Sequence, residues 1–199
     1  SKFYGKRHDA SQVVGYGKVA AIFHMLRDQV GTNIFDQAFR LFWMRHKFRA
    51  ARWSDIQAAF EKSAGRDLTW FFDQWLQRPG APKLALGESH LAKKNGQHQL
   101  TFKVSQEQPV YRLTIPVVIE TGNGRVTNRL KFNGETKEVI LTFNEKPTRL
   151  SIDPNFDIFR RLLPSESPPI LRDVTLAADA VTLIAAEDEA MQLAAVELS

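Results

Sequence analysis

The sequence predicts an α+β chain in which an N-terminal helical subdomain of about four helices precedes an antiparallel β-sandwich and a short βα tail. Apolar residues recur every three or four positions within residues 1–82, as on one face of a helix. After residue 83 they alternate with polar residues, between Asn-Gly and Gly-Asn-Gly turn signals. This change of period predicts domains at 1–82 and 83–163, followed at 164–199 by a linker and the start of a further βα domain.

The composition is that of a folded protein without disulfide bonds. Of the 199 residues, 43% are hydrophobic and 25% are charged, which excludes wholesale disorder. No run of about 18 apolar residues occurs, so a membrane-spanning segment is not predicted. Cysteine is absent, which excludes a Cys-based zinc site and a cysteine nucleophile. The net charge of +5 is typical of an ordinary solvated surface, and we expect no nucleic-acid partner.

The first two helices are predicted from apolar stripes. One stripe spans residues 19–30 and stops before Gly31, a residue type that favours helix ends. A second stripe spans residues 35–46. Asn33 is predicted to cap this helix, because a short polar side chain accepts hydrogen bonds from the first backbone N–H groups.

The third and fourth helices are predicted from their boundary residues. Ser54-Asp55-Ile56-Gln57 has the pattern of a capping box, and Gly65 is placed to end the third helix. Asp67 is predicted to cap the fourth helix, which Pro79 terminates. All four tryptophans and nine of the fourteen phenylalanines lie in residues 1–82, which indicates a packed aromatic core.

Six or seven short strands are predicted after residue 83. The apolar residues expected to face the sandwich core are Leu100, Phe102, Val104, Tyr111, Leu113, Ile115, Val117, Ile119, Val126, Leu130, Phe132, Val139, Leu141, Phe143, Leu150 and Ile152.

The remaining segments are predicted to form a tail. Residues 153–163 are predicted to form a short helix that begins at Asp153-Pro154-Asn155. Residues 164–169 are rich in proline and predict a stiff extended linker. A strand at 180–186 and an acidic amphipathic helix from Asp188 are expected beyond it.

Common catalytic and binding motifs are missing. The sequence contains no H-E-x-x-H, no G-x-S-x-G, no P-loop and no G-x-G-x-x-G. His90 and His98 flank a predicted hairpin and are interpreted as solvated rather than as metal ligands. The basic run from His46 to Arg52 contains Phe48, a composition that also occurs in nucleic-acid-binding surfaces. It follows the second helix, where cations favour the helix dipole, and that interpretation is preferred.

Tyr16 is the candidate catalytic residue. It lies between Gly15 and Gly17 at the start of an apolar helix, which favours access of a ligand to its hydroxyl. A phenol is a neutral donor at working pH, and a donor in a closed site stabilises a developing oxyanion. Packing of the tyrosine ring against the helix is the alternative that the spacing alone leaves open.

An ordered series of short elements resembles the aminopeptidase N-like zinc metallopeptidases, or gluzincins. It begins with Tyr16-Gly17-Lys18-Val19-Ala20 and Met25-Leu26-Arg27. It continues through Ser63-Ala64-Gly65-Arg66-Asp67-Leu68 and Phe72-Asp73-Gln74-Trp75 to Gly80-Ala81-Pro82. The resemblance covers about residues 8–84. The β-rich segment that follows also fits, since these enzymes place a β-sandwich after the helical half of the catalytic domain.

The resemblance implies a role for Tyr16 and a location for the zinc. Residues 1–82 would be the helical C-terminal half of a thermolysin-like catalytic domain, in which Tyr16 hydrogen-bonds the oxyanion of the tetrahedral intermediate. The family's zinc ligands and general base lie upstream of this tyrosine. We therefore expect zinc and a peptide substrate in the parent protein, and no zinc or activity in this chain alone. The family's glycine after the lysine is Val19 here.

Two other functions remain open from the sequence. A non-catalytic relative would use the same scaffold for interaction only, since fold does not fix function. An unrelated helical-plus-sandwich binding module would bury Tyr16 away from any cleft. Oligomeric state, substrate side-chain preference and compartment are not indicated by any motif.

Overall fold

The predicted α+β class is confirmed by the computed structural model. It describes residues 10–163, 165 and 166, with side chains from residue 15. The described residues up to Arg161 form one compact unit, and those from Leu162 onward belong to a second. The predicted strand at 180–186 and the helix from Asp188 lie outside the described residues. The boundaries at 82 and 163 stay a prediction.

Four α-helices form the N-terminal part. They are α1 (Ala10–Val30), α2 (Thr32–His46), α3 (Trp53–Ala64) and α4 (Thr69–Phe72). The last continues through a π-helical turn, Asp73–Gln77. No helix among the described residues is long and apolar enough to cross a membrane.

Three predicted helix caps are wrong: Asn33 and Ser54 by two residues, and Asp67 by one, since Leu68 occupies the cap position of α4. Thr32 is the first residue of α2, so Asn33 lies inside the helix and Gly31 occupies the cap position. The α3 helix is capped at Arg52 rather than at Ser54, because the Asp55 carboxylate accepts the Arg52 backbone N–H at 2.7 Å. The acidic residue three positions into the helix was thus the informative signal.

Two carboxylates near the connection between α3 and α4 accept backbone N–H groups at the start of α4. Gly65 ends α3 in the left-handed conformation with φ of 63°. Glu61 Oε1 accepts the backbone N–H of Leu68 at 3.0 Å, and Asp67 Oδ1 accepts that of Thr69 at 3.3 Å. These bonds satisfy N–H groups that a helix start leaves without intrahelical partners.

Six strands form two antiparallel three-stranded sheets. They are β1 (Leu84–Lys94), β2 (Gln97–Gln106), β3 (Leu113–Thr121), β4 (Gly124–Phe132), β5 (Thr136–Phe143) and β6 (Arg149–Ile152). The order is β1-β2-β5 in one sheet and β4-β3-β6 in the other. The predicted turns at Asn95-Gly96 and Gly122-Asn123-Gly124 join β1 to β2 and β3 to β4.

The alternation predicted for the core is confirmed most clearly in β2 and β3. Leu100, Phe102 and Val104 are buried, as are the alternating apolar residues from Leu113 to Ile119. The prediction for Val126 is wrong: it is 47% exposed, near the start of the outer strand β4. The buried cluster also includes Ile22, Leu26, Phe60 and Trp75, so it continues from the helices into the sandwich.

The β1 strand is exposed along almost its whole length. Only Leu84 is buried, and the pairing with β2 shifts between Leu86 and Ser89. The strand ends in Lys93-Lys94. It forms an outer edge of its sheet.

The helix predicted for residues 153–163 is not formed. Asp153 has φ of 47°, and its carboxylate accepts the backbone N–H groups of Asp157 and Ile158 at 2.8 and 3.3 Å. An Asp side chain that bonds its own following backbone competes with helix formation. A bridge between Arg161 and Lys83 closes this 153–160 segment against the start of β1.

A matched pair of glycine substitutions tests the backbone conformation of the helices. Gly65→Ala is expected to lower the free energy of unfolding by about 1–2 kcal/mol, because a Cβ is strained at positive φ. Gly17→Ala is expected to raise it by about 0.5–1 kcal/mol, because Gly17 lies within α1 and a Cβ there meets no atom within 4 Å. Chemical denaturation measures the change in the free energy of unfolding in each variant. A change of the same sign in both variants would contradict the assigned backbone conformations.

Candidate functional site

Tyr16 lies on the solvent-facing side of α1. Its side chain is 69% exposed, whereas Ile22, Leu26 and Val30 of the same helix are buried. Ala20 follows Tyr16 by one helical turn and is also exposed. The unrelated-module hypothesis expected a buried tyrosine, and this exposure contradicts it.

An aromatic cluster fixes α1 against α2 and α3. Phe23 contacts Phe39 with ring centroids 5.2 Å apart and stacks on Trp53 at 5.7 Å. Phe60 of α3 meets Phe35 and Phe39 of α2 in edge-to-face contacts. Such pairs add about 0.5–1.5 kcal/mol each beyond their burial. The concentration of aromatic residues in the sequence therefore corresponds to the packing that holds the Tyr16 helix.

The 153–160 segment contacts α1 at two points. His24 Nε2 lies 3.0 Å from Asp157 Oδ1. The Lys18 ammonium lies 5.8 Å from the centroid of Phe159, whose ring also packs edge-on against Trp75 at 6.2 Å. The segment thus connects α1 to the π-helical turn.

Strands β3 and β4 contact the C-terminal half of α1. Gln29 Nε2 donates to Thr114 Oγ1 at 3.0 Å. Arg129 donates to the Asp28 carboxylate, and this hydrogen bond raises the pKa of the guanidinium. The helix that carries Tyr16 is therefore held by side chains from three parts of the chain.

A buried ion pair holds the 153–160 segment together. Arg160 Nε donates to Asp153 Oδ2 at 2.7 Å, and the two side chains are 1% and 0% exposed. Burial raises the pKa of the Asp153 carboxyl, while the Arg160 guanidinium and the two backbone N–H donors oppose that shift. Removing one partner of such a pair is costly, because the other charge stays in the interior.

The described residues contain no group of three or more His, Asp or Glu side chains placed to hold a metal ion. His24 is engaged with Asp157, and His90 lies 3.8 Å from Glu88 on the exposed β1 strand. The side chains in this described part of the chain therefore do not fit a zinc centre.

The basic run after α2 is exposed together with large apolar side chains. Phe48 is 93% exposed, and Trp43 and Met44 are 60% and 66% exposed. Trp43 and Phe48 contact each other with centroids 6.1 Å apart.

Part of the helical region is similar to a known protein family. Residues 6–75 match the peptidase family M1 domain. The matched segment includes Tyr16, and the resemblance to aminopeptidase N-like proteins is confirmed.

Several curated relatives of the chain are named as aminopeptidases. A probable aminopeptidase 1 from Sulfurisphaera tokodaii is 23% identical over 150 residues, covering 75% of this chain and 18% of the relative. Aminopeptidase N from Lactococcus lactis is 30% identical over 67 residues, covering 34% of this chain and 8% of the relative. The chain thus spans less than a fifth of the length of these relatives.

A solved structure supports the fold. Aminopeptidase A from Legionella pneumophila, solved in complex with aspartic acid, superposes with a TM-score of 0.61 at 20% identity. The match covers 76% of this chain and 18% of that protein. It therefore extends beyond the helices into the sandwich.

Sequence reasoning proposed Tyr16 as a candidate but missed the contacts that position its helix. The Asp153–Arg160 pair joins residues seven positions apart in a segment that the pattern assigned to a helix. The one local sequence feature that indicates a non-helical conformation here is the Asp-Pro-Asn run, which favours a turn as readily as a helix start.

Phe159→Ala tests whether the 153–160 segment holds α1. We expect the free energy of unfolding to fall by about 2 kcal/mol, less than the 3–5 kcal/mol typical of a fully buried phenylalanine. Backbone amides near Lys18 are expected to lose protection from hydrogen exchange, because the ring packs between α1 and Trp75.

The matched control is Phe156→Ala in the same segment, where the side chain is 49% exposed. This variant should change the free energy of unfolding and the exchange protection near Lys18 only slightly. Unaltered exchange near Lys18 in Phe159→Ala would show that the segment does not hold the helix.

Asp153→Ala tests the buried pair. We expect a loss of about 3–5 kcal/mol in the free energy of unfolding, because the Arg160 guanidinium loses the carboxylate facing it. Glu107→Ala, which removes an exposed carboxylate from Lys83, should cost about 1 kcal/mol or less. Comparable losses in the two variants, measured by denaturant titration, would contradict the assigned importance of the pair.

Proposed function

We propose that this chain is part of a zinc-dependent, aminopeptidase-like metallopeptidase that removes N-terminal residues from peptides. The M1 match across residues 6–75 carries this proposal, and the aminopeptidase names of the relatives support it. The chain by itself is expected to be inactive, because the described residues gather no metal-binding group.

The role proposed for the chain within the whole enzyme is oxyanion stabilisation by Tyr16. The 69% exposure of Tyr16 supports contact between its side chain and a substrate bound against α1. Donation of the hydroxyl proton in a hydrogen bond to the tetrahedral intermediate would stabilise the charge that develops on the former carbonyl oxygen. The contacts at Lys18 and His24 keep the helix in place, so the donor is preorganised.

Tyr16→Phe in the longer natural polypeptide tests this role. We expect kcat for aminoacyl-anilide hydrolysis to fall about 10²–10³-fold, because one oxyanion donor is removed. KM and the bound zinc, measured on the same preparation, should stay near the parent values. Undiminished kcat would refute the role of Tyr16.

Tyr111→Phe provides the matched control. It also removes one tyrosine hydroxyl, but that hydroxyl is bonded to the Pro79 carbonyl at 3.3 Å inside the fold. We expect a stability loss of about 0.5–1.5 kcal/mol and no change in kcat. If both variants lost activity together, a structural effect of hydroxyl removal would be the explanation.

A non-catalytic scaffold is the second candidate, and Val19 is the observation that favours it. This half-buried residue stands beside Tyr16 where the family pattern has glycine. The same assay separates the two candidates, because a scaffold would show neither bound zinc nor hydrolysis in the longer polypeptide.

A further inference from the structure

A cation-rich cleft lies where the helices meet the open end of the sandwich. It encloses about 840 Å³, part of it open to solvent. Its lining includes four cationic side chains and no carboxylate: Arg66, Arg112, Lys131 and Lys137. They come from the α3–α4 connection, the start of β3, β4 and β5, so folding brings together charges that are distant in sequence.

Hydrogen bonds connect the backbone around this cleft. Arg66 Nη2 donates to the Gln29 carbonyl at 2.5 Å, and the Gln29 side chain donates to Thr114 at 3.0 Å. Thr114 pairs with Lys131 across β3 and β4. Lys137 Nζ in turn donates to the Lys131 carbonyl at 2.8 Å. The cations are therefore placed by a continuous set of contacts.

Trp70 forms an aromatic wall of the cleft. The Arg112 guanidinium lies 4.1 Å from the Trp70 ring centroid, and the Arg112 backbone N–H donates to Gln74 at 2.7 Å. Stacking holds the planar guanidinium while leaving its N–H donors available, the geometry in which arginine binds phosphate oxygens in pairs.

None of the four cations forms an ion pair with a carboxylate in the part of the chain that the structure describes. An adjoining recess contains Asp28 and Asp157, but these already face Arg129 and His24. Four like charges in one concave surface repel each other, and an anion between them relieves that repulsion.

We propose that this cleft binds a compact anion that carries two or more phosphate groups. Four cations are balanced by the charge of a di- or triphosphate, whereas a dicarboxylate supplies only two charges. Guanidinium and ammonium groups are also the side-chain donors with which proteins bind phosphate oxygens. Gln29 follows Tyr16 by 13 residues on α1, so the two Cα atoms are about 20 Å apart along the helix axis. The proposal does not depend on peptidase activity.

Titration of the 199-residue chain with tripolyphosphate tests the proposal. Calorimetry should report one site per chain, with affinity that weakens as salt is raised. Trp70 fluorescence should change on binding, and Trp70→Phe should remove most of that signal. Lys131→Gln and Arg66→Gln should each weaken binding about tenfold, since each removes one charge-assisted contact.

Arg49→Gln is the matched control, because it removes the same charge from the exposed run after α2. It should leave the affinity unchanged. Orthophosphate and succinate should bind at least tenfold more weakly than tripolyphosphate. Absence of one-to-one binding, an equal loss in Arg49→Gln, or succinate binding as tight as tripolyphosphate would each overturn the proposal. Circular dichroism confirms that the variants are folded.

Discussion

The buried ion pair between Asp153 and Arg160 is the interaction on which the arrangement around Tyr16 depends. The carboxylate bonds one guanidinium and two backbone N–H groups, which forces the chain into a turn after β6. That turn directs Ile158 into the core and presents Asp157 and Phe159 to α1. A buried ion pair thus gives the segment after β6 the conformation in which it contacts the first helix.

This arrangement explains why the helices and the sandwich occur together. The α1 helix buries one face against α2 and α3, but four of its polar side chains contact the 153–160 segment or the β3–β4 sheet: Lys18, His24, Asp28 and Gln29. A helix held on two sides keeps its solvent-facing side in a fixed orientation. Preorganisation of that kind is what a hydrogen-bond donor needs to favour a transition state over a ground state.

Local patterns predicted the helices and strands but not the contacts between them. Alternation placed Phe102, Val104 and Ile115 in the core, because a strand with one buried face has a strict period of two. Polar residues near the helix starts predicted caps at Asn33 and Ser54. Those predictions were wrong, because several neighbouring residues can each serve as the helix cap. An ordered motif made Tyr16 a candidate catalytic residue. The cationic cleft has no such local motif, because its lining comes from residues spread between 29 and 137.

The irregular, exposed β1 strand has a consequence for the behaviour of the protein at high concentration. An outer strand offers unpaired backbone groups to any other strand that approaches it. The shift in pairing between Leu86 and Ser89 interrupts that row, and Lys93 with Lys94 adds repulsion between like edges. Both features protect the sandwich against edge-to-edge aggregation through this strand.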